Sequence, residues 1–439
     1  MSALARYYRF HGRKVMGYDR TETPLTRQLV EEGIVVHYVD DPSFVPVDTE
    51  FVVYTTAIPA DHQELNYCRQ KGYPMKKRSE VLGMITEEAF NICVAGTHGK
   101  TTITTMTAHI LRHSGYGCNA FLGGIAANYN SNYWSHERKV CVVEADEYDR
   151  SFLKLSPDIA VISAMDPDHL DIYGTPEAVD EAFAEFSGRI KAGGLLVHKQ
   201  GLAKAHLLKA PRIQTYSRTE ATAGSYAYGI ERMQGGYRFQ VKLPDALLEN
   251  VELPMGGLHN IENITAAITV AHALGIEGEK IKAAVAEFRG VKRRFEYIIA
   301  PGTHRDGLVL IDDYAHHPEE LRALITGAKN LFPGMKSTVI FQPHLFSRTR
   351  DFAEGFAEVL QETDETLLLP IYPARELPVE GVNSEMLLAL MNNRKARVLS
   401  KTEVLSWAAT TERNNHLVIM AGAGDIDALV LPVKEQLMN

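Results

Sequence analysis

The chain has 439 residues, of which 45% are hydrophobic and 23% charged, and its formal net charge is −9. This composition is typical of a globular protein with sizeable cores, and the length predicts about three domains. Because binding to a phosphate polymer requires a concentrated basic surface, the acidic balance argues against a nucleic-acid partner.

Cysteine usage and hydropathy indicate where the protein acts. Four cysteines, at positions 68, 93, 118 and 141, are far apart and form no Cys-x-x-Cys pair. This usage is typical of a reducing compartment rather than of a disulfide framework or a zinc site. No stretch reaches the ~18 consecutive apolar residues of a membrane span, and the start has no signal-peptide pattern. We expect a cytoplasmic protein.

The first block alternates short helices and strands. Residues 2–10 and 26–32 predict helices, and residues 14–18 and 51–54 predict strands that end just before Asp19 and Thr55. A nucleotide-binding unit of this type begins with a strand and a glycine-rich turn, followed about 20 positions later by an acidic residue. Asp19 matches that acidic residue, yet the chain begins inside the helix that should follow the first strand. We expect a sequence truncated at its first strand.

A glycine-bearing loop follows the apolar run 92–95 and consists of Gly96-Thr97-His98-Gly99-Lys100-Thr101-Thr102. A predicted strand, this loop and a predicted helix at 103–111 form the arrangement that wraps a nucleotide phosphate. Lys100 would neutralise the β- and γ-phosphates, and the Thr101 hydroxyl would hold Mg²⁺. Val94 occupies the position of the first glycine in the usual motif, so a turn that binds nothing is the alternative. We interpret the loop as a nucleotide triphosphate site.

Two acidic clusters follow the next predicted strands, at 140–143 and 159–164. Glu144 ends the first strand, and His169 lies in the Asp-rich segment after the second. Because the carboxyl ends of parallel strands meet at one edge of a sheet, these side chains are candidate metal ligands beside the loop. A solvated acidic loop and a structural histidine are the alternatives.

The rest of the chain predicts two further regions. Residues 195–254 alternate in the manner of antiparallel strands, and helices follow at 261–274 and 280–288. A third block begins near residue 295 and places strands before Asp313, at 337–341 and at 416–420, with helices between them. This alternation predicts an α/β fold with parallel, doubly wound sheets.

Seven motifs occur in the order found in Mur ligases: GTHGKTT, EADEYDRSF, DHLDIYG, HNIENITAA, RRFE, DDYAHHP and FQPHLFSRTRD. The chain resembles this family over nearly its whole length, and most closely the branch that attaches L-alanine to UDP-N-acetylmuramate. The resemblance implies three domains: a UDP-binding Rossmann-like domain at 1–90, a central P-loop ATPase domain at 91–294, and a C-terminal Rossmann-like domain for the amino acid at 295–439.

The resemblance also implies a set of site residues. The expected catalytic residues are Lys100, Glu144, His169, Arg294, His316 and Arg348. The expected ATP-binding residues are loop residues 96–102, Asn260, Asn263, Arg294, Asp313 and Tyr314. Two Mg²⁺ sites are expected at Thr101, Glu144 and His169, and UDP contacts at Asp19, Thr55 and Thr56.

For Asn260 a plain helix N-cap is the alternative. We hypothesise that His316 is the general base and that His317 is structural, preceding Pro318. Many relatives have arginine where this chain has Leu345, which leaves the preference for alanine over serine or glycine open.

The implied reaction joins the lactyl carboxylate of UDP-N-acetylmuramate to L-alanine through an acyl phosphate, with ATP as phosphoryl donor, in peptidoglycan precursor synthesis. Two alternatives remain: a sibling ligase that attaches a recycled tripeptide to the same nucleotide sugar, and a non-ligase P-loop ATPase. The oligomeric state stays open.

Overall fold

The structure is a computed structural model. It describes residues 1–55, 58–167, 170–374, 376–391 and 395–439, and gives only the backbone for three of these, Asp149, Leu170 and Asp171. The chain divides into two compact units. Unit 1 comprises Met1–Ala227, Val241–Leu248 and Glu262–Ala284, and unit 2 comprises Tyr228–Gln240, Glu249–Ile261 and Val285–Asn439.

The N-terminal part of unit 1 contains two small parallel sheets, in which β1 pairs with β2 and β3 pairs with β4. The sequence explains the start of helix α2. Thr23 forms a capping box with Thr26, and Pro24 occupies the first turn. The elements are α1 (Ser2–Phe10), β1 (Met16–Tyr18), α2 (Pro24–Glu31), β2 (Val35–His37), β3 (Val52–Tyr54), α3 (Gln63–Gln70), β4 (Met75–Lys77) and α4 (Arg78–Glu87).

A larger sheet forms the centre of unit 1, with strand order β11-β10-β9-β5-β8-β6-β7. All neighbours in it are parallel except β6 and β7, which are antiparallel. The elements are β5 (Phe90–Ala95), α5 (Lys100–His113), β6 (Asn119–Ala126), β7 (Ser131–Trp134), β8 (Val140–Glu144), β9 (Ile159–Ile162), α6 (Leu170–Tyr173), α7 (Pro176–Gly188), β10 (Leu195–Lys199) and β11 (Arg212–Ser217).

The prediction of antiparallel strands across residues 195–254 is wrong for the first part of that region. Strand β10 is parallel to both β9 and β11, and β11 is parallel to the start of β12. Alternating apolar residues show that one face of a strand is buried, but they carry no information on strand direction. The following elements are β12 (Ser225–Met233), β13 (Gly236–Lys242), β14 (Leu247–Leu253), α8 (Leu258–Ala273) and α9 (Gly278–Ala286).

Unit 2 contains a second sheet with strand order β15-β16-β20-β17-β18-β19, parallel throughout except for the edge strand β15. Its elements are β15 (Glu296–Ile299), β16 (Val309–Asp313), α10 (Pro318–Leu331), β17 (Lys336–Phe341), α11 (Phe346–Asp351), α12 (Ala353–Leu360), β18 (Glu365–Leu368), α13 (Ser384–Leu390), β19 (Ala396–Val398), α14 (Lys401–Thr410), β20 (His416–Ala421) and α15 (Asp427–Met438). The predicted α/β architecture with parallel sheets is confirmed.

Each unit has its own apolar core. In unit 1 the central strands and α7 bury residues such as Cys93, Val143 and Phe183 completely or nearly so. In unit 2 the core lies between the sheet and helices α14 and α15, around Leu310, Ile340 and Val418. All four cysteines are buried free thiols. Across the described residues no helix combines the length and hydropathy needed to cross a membrane.

Candidate active site

The predicted phosphate loop connects β5 to α5 at the carboxyl edge of the unit 1 sheet. Gly96 and Gly99 have φ angles of +133° and +82°, a region that favours glycine. A Cβ on Gly96 would overlap Ser163 on the neighbouring strand exit, and a Cβ on Gly99 would lie 2.9 Å from Asn263 Oδ1. The two glycines therefore let the loop pass close to its neighbours while the N-terminus of α5 stays open to a ligand.

Contacts with the exit of β9 fix the conformation of the loop. The Ser163 hydroxyl contacts the carbonyl oxygens of Ala95 and His98, to which its single O–H can donate. The Asp166 N–H donates to Thr97 Oγ1 at 3.2 Å, and the Thr97 N–H donates to Ala164 O at the same distance. The loop is thus preorganised by protein groups alone. Its last residue, Thr102, is buried in the first turn of α5.

Lys100 folds back over the loop. Its Nζ donates to Gly96 O at 2.8 Å and to Glu147 Oε1 at 2.7 Å. The Lys100 side chain is 15% exposed and that of Glu147 is 1% exposed. The ammonium group therefore lies at the loop, where a nucleotide phosphate would need a positive charge.

Thr101 and Glu144 meet as the sequence predicts. Thr101 Oγ1 donates to Glu144 Oε1 at 3.0 Å, and the Gly123 N–H donates to Glu144 Oε2 at 3.0 Å. Strand β8 places the carboxylate there, because Glu144 pairs in register with Val94 on the loop-bearing strand β5. A hydroxyl oxygen and a carboxylate oxygen side by side are suitable ligands for Mg²⁺.

Two predicted ligands lie outside the described residues: His169, the candidate for the second metal, and Thr56, a candidate UDP contact. Within the described part of the chain, His, Cys, Asp and Glu side chains form no group of three that could hold a metal ion. Of the predicted metal ligands, the structure describes Thr101 and Glu144, which contact each other beside the loop.

The two asparagines expected at the nucleotide base lie three positions apart on helix α8. Asn263, on α8 in unit 1, packs its Oδ1 against Gly99 of the phosphate loop. Asn260, in unit 2, is buried and donates from Nδ2 to Gly256 O at 2.7 Å. Because α8 begins at Leu258, Asn260 lies inside the helix, and the alternative of an N-cap is wrong.

In unit 2, Arg294 is held in an exposed position between two residues with positive φ, Arg293 at 60° and Phe295 at 50°. Such angles are uncommon outside glycine and must be supported by the surroundings. The Phe295 N–H donates to Asp313 Oδ2, and the Tyr314 N–H donates to Arg293 O, both at 2.7 Å. The backbone geometry thus directs Arg294 outward.

Asp313 and its neighbour Asp312 are carboxylates at the end of β16 with raised pKa values. Asp313 also accepts from the Ala315 N–H at 2.7 Å, and burial raises its pKa to about 6 against these hydrogen bonds. Burial raises the pKa of Asp312 to about 7, although the Arg293 guanidinium, 3.7 Å away, favours the charged form. Both oxygens of Asp313, the predicted ribose ligand, are therefore engaged by the backbone in this structure.

Tyr314 and His316 follow β16 directly. Tyr314 is exposed, and its ring lies under the Arg293 guanidinium at 5.1 Å. His316 Nδ1 lies 2.9 Å from Tyr314 O and 3.5 Å from Glu320 Oε2. Since a carbonyl oxygen can only accept, the neutral imidazole that donates this hydrogen bond has its proton on Nδ1 and its lone pair on Nε2. His317 caps α10 and forms a capping box, which confirms its structural role.

Arg348 lies on α11, where its Nη1 is 3.3 Å from His344 Nδ1. His344 stacks on Tyr372, and its pKa is lowered by burial and by the charge of Arg348. Leu345, which precedes α11, has a φ of 69°. This loop therefore brings Arg348, His344 and Tyr372 together at the carboxyl end of β17.

The expected UDP contacts Asp19 and Thr55 lie just beyond the carboxyl ends of β1 and β3. Asp19 is exposed and accepts from the Thr21 N–H at 3.4 Å. Thr55 is half-buried, and its carbonyl oxygen accepts from the Ile58 N–H at 3.4 Å. Both positions fit the rule that ligands bind at the carboxyl ends of parallel strands.

Three residues beside the candidate site residues were not predicted from the sequence: Glu147 and Gly123 in unit 1, and Arg293 in unit 2. Glu147 belongs to the acidic motif after β8, so a search for a partner of Lys100 within that motif could have found it. The proximity of Gly123 to Glu144 depends on the parallel pairing of β6 with β8. Nothing in the sequence marks Arg293 as a residue near the site, apart from its position beside Arg294.

The fold and the loop define a nucleotide-binding α/β protein of the P-loop type. Three family models match consecutive parts of the chain: "Mur ligase family, catalytic domain" at residues 1–89, "Mur ligase middle domain" at 94–271 and "Mur ligase, glutamate ligase domain" at 293–424. Together with the full-length relatives described next, they show that the chain belongs to the Mur ligase family and has its three-domain architecture.

Several relatives match almost from end to end. The UDP-N-acetylmuramate–L-alanine ligase of Cytophaga hutchinsonii is 46% identical, and the match covers 99% of this chain and 94% of that protein. The enzyme of the same name from Porphyromonas gingivalis strain W83 is also 46% identical, with 100% and 97% covered. Both matches therefore include all three family regions.

Solved structures agree with this assignment. The crystal structure of UDP-N-acetylmuramate-alanine ligase from Thermotoga maritima is 27% identical, with a TM-score of 0.84, and the match covers 99% of this chain and 96% of that one. A murein peptide ligase from Psychrobacter arcticus shares the fold at 22% identity, with a TM-score of 0.67 and 100% and 96% covered.

Proposed function

We propose that this protein is an ATP-dependent ligase that forms the amide bond between the lactyl carboxylate of UDP-N-acetylmuramate and L-alanine, in peptidoglycan precursor synthesis. The observation that carries the proposal is the phosphate loop, in which Thr101 contacts Glu144 and Lys100 contacts Glu147, in a chain 46% identical over its length to an L-alanine ligase.

The reaction proceeds in two steps. A carboxylate oxygen of the nucleotide sugar attacks the γ-phosphorus of ATP, so that ADP leaves and an acyl phosphate forms. The alanine amine then attacks the acyl carbon, phosphate leaves with the electron pair of the broken C–O bond, and the nitrogen loses a proton. Two anions must approach each other in the first step, so cationic side chains have to offset their repulsion.

Lys100 and Arg294 supply positive charge to the phosphates, and the loop N–H groups of residues 96–102 bind their oxygens. Asn260, Asn263, Asp313 and Tyr314 bind the remainder of the nucleotide. His316 Nε2 accepts the proton from the amine, and Arg348 orients the reacting groups. Asp19, Thr55 and Thr56 contact the UDP moiety.

Mg²⁺ is implied by the family, and the oxygen pair of Thr101 and Glu144 fits such an ion. These residues would hold one ion, and His169 would contribute to a second. Bound Mg²⁺ would neutralise the charge that develops on the phosphate oxygens.

We propose domains at 1–90, 91–294 and 295–439, a division supported by the order of the three family matches at 1–89, 94–271 and 293–424. We also place the protein in the cytoplasm, because four buried free thiols suit a reducing compartment.

A comparison of amine substrates distinguishes the proposed L-alanine ligase from a related ligase that attaches a tripeptide to the same nucleotide sugar. Purified protein is incubated with ATP, Mg²⁺ and UDP-N-acetylmuramate, together with either L-alanine, glycine, L-serine or the tripeptide, and the products are identified by mass. We expect the alanyl product to form fastest. A faster tripeptide product would overturn the assignment of the amine substrate.

A further inference from the structure

The arginine that precedes the exposed Arg294 is itself anchored within unit 2. The Arg293 side chain is 20% exposed, and its Nη2 donates to Gly422 O in the turn after β20. Its Nε lies 3.7 Å from Asp312 Oδ2 in β16, and its Nη1 lies 3.8 Å from Asp427 Oδ2 at the start of α15. One side chain therefore contacts three separate segments of unit 2.

The backbone of Arg293 is fixed on both sides as well. Its N–H donates to Glu296 Oε2 at 2.8 Å, and its carbonyl oxygen accepts from the Tyr314 N–H at 2.7 Å. The Tyr314 ring also lies 5.1 Å from the guanidinium carbon, within the range of a cation–π contact. Since Glu296 begins β15 and Tyr314 directly follows β16, residue 293 is held by the frame of the unit 2 sheet.

These contacts support a backbone conformation that arginine seldom adopts. Arg293 has a φ of +60° and Phe295 one of +50°, so Arg294 lies between two residues in the left-handed region. This region is unfavourable for a residue with a Cβ and persists only where the surroundings hold it. The Arg294 N–H also donates to Val291 O at 3.1 Å. The direction in which Arg294 leaves this turn therefore depends on the anchoring of Arg293.

We propose that Arg293 is a positioning residue, which holds Arg294 in the orientation needed at the nucleotide phosphate and does not contact the nucleotide itself. A positive charge lowers the barrier only where negative charge develops in the transition state, so a small displacement of Arg294 should slow the reaction. This inference rests on the proposed role of Arg294 at the phosphates.

A double-mutant cycle separates positioning from a general effect on folding. Arg294→Met should lower kcat by about 100-fold or more, as the loss of one transition-state contact commonly does. Arg293→Met replaces the guanidinium group with an apolar side chain and should lower kcat by about tenfold or more, because Arg294 is displaced.

The double variant distinguishes the two roles. If Arg293 acts only through Arg294, kcat of the double variant should stay within about twofold of that of Arg294→Met. A merely structural role would lower the fraction of active enzyme equally in both backgrounds, so the two effects would multiply.

Two further variants complete the series. Arg293→Lys keeps the charge, but a compact ammonium group cannot replace the planar guanidinium at all three contacts, so kcat should fall by less than in Arg293→Met. Arg322→Met is the matched control and should leave kcat within about twofold of the wild type. Arg322 also contacts two carboxylates of unit 2, Glu358 at 3.1 Å and Glu362 at 3.2 Å.

The measurement is phosphate release by the full chain at saturating ATP, Mg²⁺, UDP-N-acetylmuramate and L-alanine, with circular dichroism to verify folding. Full kcat in Arg294→Met would overturn the proposed role of Arg294 and this inference with it. If Arg294→Met is impaired but Arg293→Met is not, or if the two effects multiply, the inference alone is overturned. Should Arg293→Met fail to fold, the same cycle is measured with Arg293→Lys, in which full kcat would overturn the inference.

Discussion

Thr101 Oγ1 donates a 3.0 Å hydrogen bond to Glu144 Oε1, across the gap between the first turn of α5 and the end of β8. This contact joins two sequence motifs that are more than 40 positions apart. It follows from the parallel pairing of β5 with β8, which sets Val94 beside Glu144. Among the described residues, Thr101 and Glu144 are the pair that we propose as Mg²⁺ ligands.

Removing the charge of Glu144 should weaken Mg²⁺ binding. In Glu144→Gln we expect the Mg²⁺ concentration for half-maximal phosphate release to rise by roughly 10- to 100-fold, since an amide oxygen is a poorer ligand than a carboxylate. A Mg²⁺ titration at saturating ATP measures this. Glu181→Gln, on the exposed surface of α7, is the control; an unchanged Mg²⁺ dependence in Glu144→Gln would remove Glu144 from the site.

Gly123 should be required for the position of Glu144. A Cβ at residue 123 would overlap the Glu144 carboxylate, the flexible end of a side chain, so the carboxylate should move and the fold should remain. Gly123→Ala should therefore reproduce the Mg²⁺ defect of Glu144→Gln, with the free energy of unfolding changed by less than about 1 kcal/mol.

Gly188→Ala provides the matched comparison for this substitution, because a Cβ at residue 188 meets no atom within 4 Å. It should leave both Mg²⁺ dependence and stability close to those of the wild type. Normal Mg²⁺ dependence in Gly123→Ala would show that the predicted overlap is relieved in another way.

Much of this architecture could be predicted from the sequence. Helix 2–10 matches α1, and the loop, its strand and its helix lie where the motif predicts them. These features are local, since apolar periodicity, Pro24 and the glycines act within a few residues. The direction of β10 and β11 could not be predicted, because it depends on which distant strands they pair with.

The candidate site likewise has features that are local in the sequence and features that depend on the three-dimensional fold. Lys100, Thr101 and Glu144 belong to motifs and could be identified individually. That Glu147 contacts Lys100, and that Asp313 uses both oxygens to bind backbone N–H groups at Phe295 and Ala315, depends on side-chain packing in three dimensions. A one-dimensional pattern does not contain this information.

Asp312 should make stability depend on pH. Its pKa is raised to about 7 from a usual value of 3.8, so the neutral carboxyl favours the folded state. This contribution is fully present below pH 4 and is lost as the pH rises through 7. At about 1.4 kcal/mol for each pKa unit, the stability of the wild type relative to Asp312→Asn should fall by about 2–3 kcal/mol between pH 5 and pH 8.

Denaturant unfolding of both proteins at the two pH values measures this difference, in which titrating groups remote from residue 312 cancel. A difference that stays constant, or rises with pH, would contradict the raised pKa of Asp312.

His316 should be required for the second step of the reaction, in which the amine loses a proton. The contact of Nδ1 with Tyr314 O leaves Nε2 able to accept a proton. In His316→Asn we expect kcat to fall by about 100-fold, since general base catalysis typically contributes 10²–10⁴-fold. Full activity across the pH range in this variant would exclude His316 as the base.

The most direct test of the account is the release of phosphate by the purified chain with ATP and Mg²⁺, in the presence and absence of UDP-N-acetylmuramate and L-alanine. A ligase of this kind should release phosphate rapidly only when both are present, with one phosphate formed for each alanyl product. Equal release with ATP alone would contradict it and would indicate a P-loop ATPase that is not a ligase.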